Sequence, residues 1–225
     1  MSRATSGKPF ITRGSSQNTR SADENYAGYR ATLLGDPVSA QDAATKNYVD
    51  THAPDRNVGL SLNGYLAESL PLEAATGTGL LVSQLKYVIR VPLPYAVTFT
   101  TVSYCISTVG SGCTVGLIAV YNSSGVQIGS TSADQSAVYN GSVGVKDATV
   151  GAPGSQSGVI YVEVLAVGTT PPTLRTGSNQ NLFNANLTGA NLRAASNGSA
   201  TAADASITPA NLVTTNAQSI WIGLK

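Results

Sequence analysis

The chain has 225 residues, a formal net charge of +1 and only 11% charged residues, against about 25% in typical soluble domains. This charge balance gives no bulk attraction to nucleic acid or to an anionic membrane, and no apolar run reaches the roughly 18 residues of a membrane span. We therefore expect no nucleic-acid partner and no membrane insertion. The 23 glycines, with abundant Ser, Thr, Asn and Ala, favour short strands joined by many turns.

Residues 1–35 predict an extended N-terminal anchoring arm. The segment is polar, and its five basic residues face only two acidic ones. Such a composition cannot bury enough apolar surface to fold alone, so we expect other proteins to order it; a free tail is the alternative. The side chains expected to anchor it are basic or aromatic: Arg3, Lys8, Phe10, Arg13, Arg20, Tyr26 and Tyr29.

The extreme N-terminal sequence, MSRATSGKPF, lacks the apolar core of a secretory signal peptide. We expect the chain to stay in the cytosol where it is made, or to leave by a route other than secretion.

Residues 36–55 predict one short α-helix and a linker. Asp36-Pro37 breaks the preceding chain, and Ser39 with Asp42 forms a variant capping box. A helix of about 12 residues is marginal alone, and its apolar stripe is slim, which favours self-association. An amphipathic helix packed on its own domain is the alternative. The expected interface residues are Val38, Ala40, Ala43, Ala44, Tyr48 and Val49.

The sequence DAATKNYVD, preceded by a proline and a small polar residue, resembles a short segment that recurs in bacteriophage tail fibres, collars and related virion fibre proteins. The resemblance covers about 15 residues. It implies a position near the threefold axis of a homotrimer, and it is a structural signature rather than a catalytic one.

Residues 56–225 predict an antiparallel, jelly-roll-like β-sandwich with its core at about 77–225. Tyr87, Ile89, Val91 and Leu93 alternate with Lys86, Val88 and Arg90, which indicates a half-buried strand that stops at Pro92 and Pro94. An Asn-Ser-Ser-Gly turn between two apolar runs predicts a hairpin. Further strands are expected at 97–106, 114–121, 126–130, 158–167 and 219–225.

A second resemblance covers about residues 77–225. The order of the NSSG turn and ADQS, the G-T-T-x-P-T corner, and SITP ahead of SIWIGLK is similar to a domain at the C-terminal ends of minor tail proteins of phages that infect actinobacteria. The resemblance implies a sandwich with a structural or adhesive role. It brings no catalytic residues.

Catalytic, cofactor and metal sites are not predicted. Glu163 lies among valines in the strongest strand, and we expect it to face solvent or another subunit. His52 falls in the linker, which argues against a histidine-based hydrolase. Two cysteines and one histidine match no zinc-site spacing. Cys105 and Cys113 flank an apparent hairpin; reduced, packed thiols are expected, with a cross-strand disulfide as the alternative.

Carbohydrate adhesion is the sharper functional hypothesis. Sugar sites combine exposed aromatic rings with amide donors and acceptors on loops. Asn122, Tyr139 and Asn140 could supply these, with a loop at 178–198; Trp221 is expected in the core. In that loop Leu182, Leu187 and Leu192 each follow an asparagine, which predicts an ordered loop or short helical turn that covers the sandwich with its leucines docked into the core.

Together these features predict a non-enzymatic bacteriophage virion protein without cofactors. We expect a homotrimeric tail fibre or minor tail protein that displays its sandwich for attachment to the host surface. The alternative is a head fibre or capsid decoration protein. The expected partners are other virion proteins, bound through residues 1–35, and a host cell-surface glycan. The protein would assemble in the bacterial cytoplasm and reside in the virion.

Overall fold

The structure, a computed structural model, describes residues 63–132, 134–178 and 184–225. These residues form two antiparallel β-sheets packed as a sandwich, which confirms the predicted mainly-β fold. The predicted arm, short helix and trimer interface lie outside the described residues. No helix in the described part of the chain is long and apolar enough to cross a membrane.

The described residues contain eleven strands, one α-helical turn and three 3₁₀ turns. In chain order the strands are β1 (Ala67–Glu68), β2 (Gly77–Leu80), β3 (Leu85–Thr98), β4 (Thr101–Thr108), β5 (Ser111–Tyr121), β6 (Gln127–Ser130), β7 (Gly144–Thr149), β8 (Ser155–Thr170), β9 (Thr173–Thr176), β10 (Ala194–Ser199) and β11 (Ile222–Leu224). The helical turn α1 is Ser136–Tyr139, and the 3₁₀ turns are Leu72–Ala74, Gly189–Asn191 and Pro209–Asn211.

The strands divide into two sheets. The first has the order β1-β11-β4-β9-β2, with β7 paired to the other side of β4. The second has the order β10-β3-β8-β5-β6. Because β1 pairs with β11, with Ala67 opposite Leu224, the described chain enters the sandwich beside its C-terminal strand.

The main core lies between the sheets and follows the predicted alternation. Tyr87, Ile89, Val91 and Leu93 of β3 all point into it, on what we call the inner face of the second sheet. They meet alternate residues of β4 and β11 from the first sheet, and the largest fully buried side chains include Tyr104 and Ile106. Strict alternation puts one set of side chains inside, and for β3 the sequence identified that set correctly.

Two predicted strand boundaries are wrong. Strand β3 does not stop at Pro92 and Pro94 but continues to Thr98. The run at 97–106 is not one strand: it turns at Phe99-Thr100 and continues as β4 in the other sheet. The amides of Thr100 and Thr101 donate to the Lys225 carbonyl, at 2.9 and 3.0 Å, so the C-terminus closes this turn. A long-range contact of this kind leaves no local sequence signal.

The apparent hairpin around the two cysteines is also not formed. Cys105 lies on β4 in the first sheet and Cys113 on β5 in the second, so the connection crosses between the sheets. Both thiols are free. Cys113 is buried, and its Sγ lies 3.7 Å from the Thr170 carbonyl. Burial raises the pKa of both thiols, which keeps them in the unreactive protonated form.

The other face of the second sheet, its outer face, is covered by the irregular residues on either side of β10, 184–193 and 200–213, which we call the covering segment. Leu192, Ile207 and Leu212 pack there against β-sheet residues that include Val88 and Tyr121. Leu187 is partly buried in the same cluster. The prediction of an ordered cover is therefore met, but these leucines fill a second apolar layer rather than the core between the sheets; Leu182 lies outside the described residues.

Candidate functional site: an arginine-lined cleft

The second sheet has an incompletely covered edge along β3. In the described residues, β10 pairs with β3 only between Leu85 and Ile89, so the rest of that edge has no neighbouring strand. Unpaired edges expose backbone donors and acceptors that other chains can pair with. How this strand presents its edge therefore decides what can bind there.

Prolines occupy this open edge. The Arg90 amide donates to the Arg193 carbonyl at 2.9 Å, so it points toward β10. Amides alternate in direction along a strand, and the next one of the same direction belongs to position 92, where proline has no N–H. Pro94 follows at the start of an irregular stretch of β3. The prolines are tolerated because no ladder hydrogen bond is lost, and they make the edge a poor template for strand addition.

A cleft of about 460 Å³ opens beside this edge. One wall is formed by the end of β1 and the residues after it, and the other by β3. Arg193, the residue immediately before β10, completes the lining. Its volume lies within the range of small-ligand sites. The lining residues are Glu68, Ser69, Leu70, Pro71, Arg90, Pro92, Leu93, Pro94 and Arg193.

Two arginines face each other in this cleft. The β3–β10 register pairs Ile89 with Ala194, and the Arg90–Arg193 hydrogen bond extends it by one residue. Directly opposed residues share one face of a sheet, so these two positive charges are cross-strand neighbours, an arrangement that destabilises a sheet. Among the described residues neither arginine forms a salt bridge, and the buried Nε of Arg90 has no hydrogen-bond partner.

The remaining charge in the cleft is Glu68. Its Oε1 accepts a hydrogen bond from Nε1 of the buried Trp221 at 3.3 Å. Burial raises the pKa of this carboxyl, and the Trp221 hydrogen bond opposes the rise. Two arginines and one carboxylate leave the cleft with one excess positive charge, next to an apolar wall of prolines.

Glu163 is not in the cleft and does not face solvent. It is fully buried on the outer face of the second sheet, beneath the covering segment. Among the described residues neither of its carboxylate oxygens has a hydrogen-bond partner, and the nearby Tyr121 hydroxyl donates instead to the Asp204 carbonyl, at 3.0 Å. The expectation that Glu163 faces solvent or another subunit is wrong, because the covering segment of the same chain folds over it.

A polar cluster surrounds Glu163. Lys86, itself buried, pairs with the Asp204 carboxylate, which also accepts from Asn197 at 3.1 Å. Burial raises the pKa of Glu163 to about 7; the Lys86 ammonium opposes this rise and the Asp204 carboxylate adds to it. A carboxyl titrating near neutral pH has the acidity of a general acid or base. With no exposed surface, however, it cannot meet a substrate in this conformation.

Tyr139 cannot provide the exposed aromatic face that the glycan hypothesis required. It is fully buried at the end of α1, and its ring packs edge-on against Tyr104 with centroids 5.8 Å apart. The local sequence is typical of a polar loop. The next residue, Asn140, hydrogen-bonds to the backbone of β5, and this contact positions Tyr139 in the core.

Asn122 and Asn140 both have structural hydrogen bonds and do not form one site. The Asn122 side-chain oxygen accepts from the amides of Ser124 and Val126, each at 3.0 Å, and closes the predicted hairpin. The Asn140 side chain accepts a hydrogen bond from the Cys113 amide at 3.1 Å and donates one to the Cys113 carbonyl at 3.0 Å. Asn122 follows the last residue of β5, whereas Asn140 bonds to Cys113 near its start, and the strand between Cys113 and Tyr121 is roughly 26 Å long at about 3.3 Å per residue, so the two side chains lie at opposite ends of β5.

The cleft residues were not predicted as a site. Trp221 is fully buried, as expected, and the exposed aromatic ring nearest in sequence to the cleft is Tyr95, at 48% exposure. One local signal could have identified the edge: two prolines inside a strongly alternating strand demote it to an edge strand. The opposition of Arg90 and Arg193 depends on pairing across more than 100 residues, which periodicity cannot reveal.

No three His, Cys, Asp or Glu side chains within the described ranges cluster so that they could hold a metal ion. Comparison of the chain with family models, with curated proteins and with solved structures finds no match.

Proposed function

We propose that this chain is a structural, non-enzymatic bacteriophage virion protein, a homotrimeric tail fibre or minor tail protein that displays its β-sandwich for attachment to the host surface. The observation that carries the proposal is the sandwich formed across the region that resembles minor-tail C-terminal domains. The fibre-type segment at 36–51 supplies the expected threefold contact.

The way the chain enters the sandwich supports a display role. The Leu66 amide donates to the Leu224 carbonyl at 2.8 Å, so the entering chain and the C-terminus lie side by side. Turns at 109–110 and 171–172 lie at the opposite end of β4 and β9. A domain joined to its carrier at one end leaves its flanks and far end available for contact.

Copy number in purified virions tests the proposal. Quantitative mass spectrometry should find a few to a few dozen copies, and labelled antibody should mark the tail. Several hundred copies on the head would instead support the capsid decoration alternative. Absence from virions would refute both.

Oligomeric state provides the second test. Light scattering of the intact chain should give about three times 22.9 kDa. Val49→Asp, on the apolar stripe, should give monomers, whereas Asn47→Asp on the predicted water-facing side should leave the trimer intact. A monomeric wild-type chain, or equal effects of the two substitutions, would contradict the trimer.

A further inference from the structure

We infer that the cleft beside the open edge of β3 binds a carboxylate-bearing saccharide through Arg90 and Arg193. The choice of a saccharide rests on the proposed role in host attachment; the anion site itself rests on the geometry of the cleft.

The arginine pair is the first support. Two like charges directly opposite each other cost stability, and neither arginine forms a salt bridge with any described residue, Glu68 included. An anion placed between them would relieve the repulsion. Arginine suits this task because its planar fork of donors matches a carboxylate in two parallel hydrogen bonds.

The position of Arg90 is the second support. It is partly buried, in contrast to the exposed Arg193, and its guanidinium lies beside the Tyr161 hydroxyl. That hydroxyl donates to the Ala190 carbonyl at 2.7 Å. Partial burial beside this fixed tyrosine leaves the Arg90 side chain fewer conformations than an exposed arginine has, which lowers the entropy cost of binding.

Charge balance favours one carboxylate over a phosphate. Arg90 and Arg193 contribute two positive charges and Glu68 one negative charge, so a monoanion neutralises the cleft. A dianionic phosphate would leave excess negative charge next to Glu68. The Glu68 carboxylate has acceptor capacity beyond its bond to Trp221, which suits the hydroxyl donors of a sugar.

The prolines argue against a peptide as the ligand. An extended peptide binds a sheet edge by pairing with its backbone amides, and Pro92 removes the next amide directed at this edge. Pro92 and Pro94 instead give an exposed apolar surface beside the two charges. A uronic acid unit combines one carboxylate, several hydroxyls and an apolar ring face.

Calorimetry on the full chain would test the inference with a galacturonate trisaccharide as the probe and its methyl ester as the neutral match. The acid should bind, the ester should bind at least about tenfold more weakly, and added salt should weaken binding of the acid. Arg193→Gln should cost about tenfold or more. Lys146→Gln, on β7 of the other sheet, removes the same charge and should change affinity less than twofold.

A second readout guards against loss of folding. Arg193→Gln should raise the melting temperature of the ligand-free protein, because it removes a like-charge neighbour, and should abolish stabilisation by the trisaccharide. Equal binding of acid and ester, equal effects of Arg193→Gln and Lys146→Gln, or no binding at millimolar concentration would overturn the inference. Binding of glucose 6-phosphate in preference to the uronate would overturn the carboxylate assignment.

The two proposals can fail separately. A chain found in virions at the expected copy number that does not bind the uronate would refute only the cleft assignment. A chain that binds it through Arg193 but is absent from virions would refute only the virion role.

Discussion

The two faces of the second sheet are both buried, but they are built differently. The inner face packs against strands of the other sheet through apolar side chains. The outer face packs against the irregular covering segment and includes the charged residues Lys86 and Glu163. Tyr121 and Tyr161 donate hydroxyl hydrogen bonds to carbonyls of that segment. An irregular segment has backbone carbonyl and amide groups that are not paired in a strand ladder. Where such a segment is buried against a sheet, polar side chains of the sheet are needed to hydrogen-bond those groups.

The largest expected effect is the loss of stability when a buried side chain is truncated, and it should differ between the two faces because the covering segment can relax around a cavity more easily than a strand can. Ile160→Ala removes a fully buried inner-face side chain between two sheets and should cost about 3–5 kcal/mol in unfolding free energy. Leu192→Ala in the covering segment should cost about 2 kcal/mol, because irregular chain can move into the cavity. Urea denaturation measures both. Equal costs would show that the covering segment is as rigid as a strand.

The next effect concerns Glu163 and pH. Its pKa of about 7 in the folded protein lies above the ordinary value of 4.5, so folding favours the protonated form. Stability from this group is greatest below about pH 4.5 and falls as pH rises toward 7, by roughly 3 kcal/mol in total. Glu163→Gln cannot ionise, so the difference in unfolding free energy between variant and wild type should change over this range. If the unfolding free energies of wild type and Glu163→Gln changed in parallel with pH, the raised pKa of Glu163 would be contradicted.

A matched pair of glycines tests the contact between the covering segment and the hairpin. Gly125 and Gly154 both have positive φ, at 83° and 74°. A Cβ at Gly154 would meet open space, whereas one at Gly125 would press on the Ile207 carbonyl of the covering segment. Gly154→Ala should cost about 1 kcal/mol and Gly125→Ala at least about 2 kcal/mol. Equal melting temperatures would show that the segment is not fixed there.

The smallest effect lies on the first sheet and has the opposite pH dependence. Burial disfavours ionisation of Asp147, but hydrogen bonds from Ser103 and Lys225 outweigh it and lower its pKa. Its contribution is therefore present above its ordinary pKa of 3.8 and lost as pH falls below it. Because its side chain is 50% exposed, Asp147→Asn should cost less than about 1 kcal/mol at pH 7, and the cost should shrink as the pH falls below 3.8. Urea unfolding of variant and wild type over this pH range measures the change, and a cost that grows on acidification would contradict it.

Local sequence was sufficient wherever one short-range pattern decided the structure. The alternation from Tyr87 to Leu93 gave the inner face of β3, and the Asn-Ser-Ser-Gly turn gave the β5–β6 hairpin. Asn122 closes that turn through hydrogen bonds within five residues. Period-two burial and Asx turns are local physics, and they do not depend on distant parts of the chain.

The candidate site could not be predicted in the same way. Arg90 looked like the solvent-facing member of an alternating strand, and Arg193 like part of a polar loop. Only the pairing of β3 with β10 brings them opposite each other and opens the cleft against Glu68. The prediction of Tyr139 as a glycan-binding residue is wrong for a related reason. Its sequence neighbours are polar, which indicated an exposed loop, but side-chain exposure depends on the whole fold and the ring is fully buried.

The sequence by itself therefore determined the fold class, the inward set of β3 side chains and the hairpin turn. Within the described residues, the tertiary structure alone decided which edge of β3 has no neighbouring strand, which acid is buried and which charges meet. The physical reason is that alternation of apolar and polar residues identifies only the one face of a strand that is buried in the core. Burial of the second face, as at Glu163 beneath the covering segment, is set by a segment that is distant in sequence and has no period of its own.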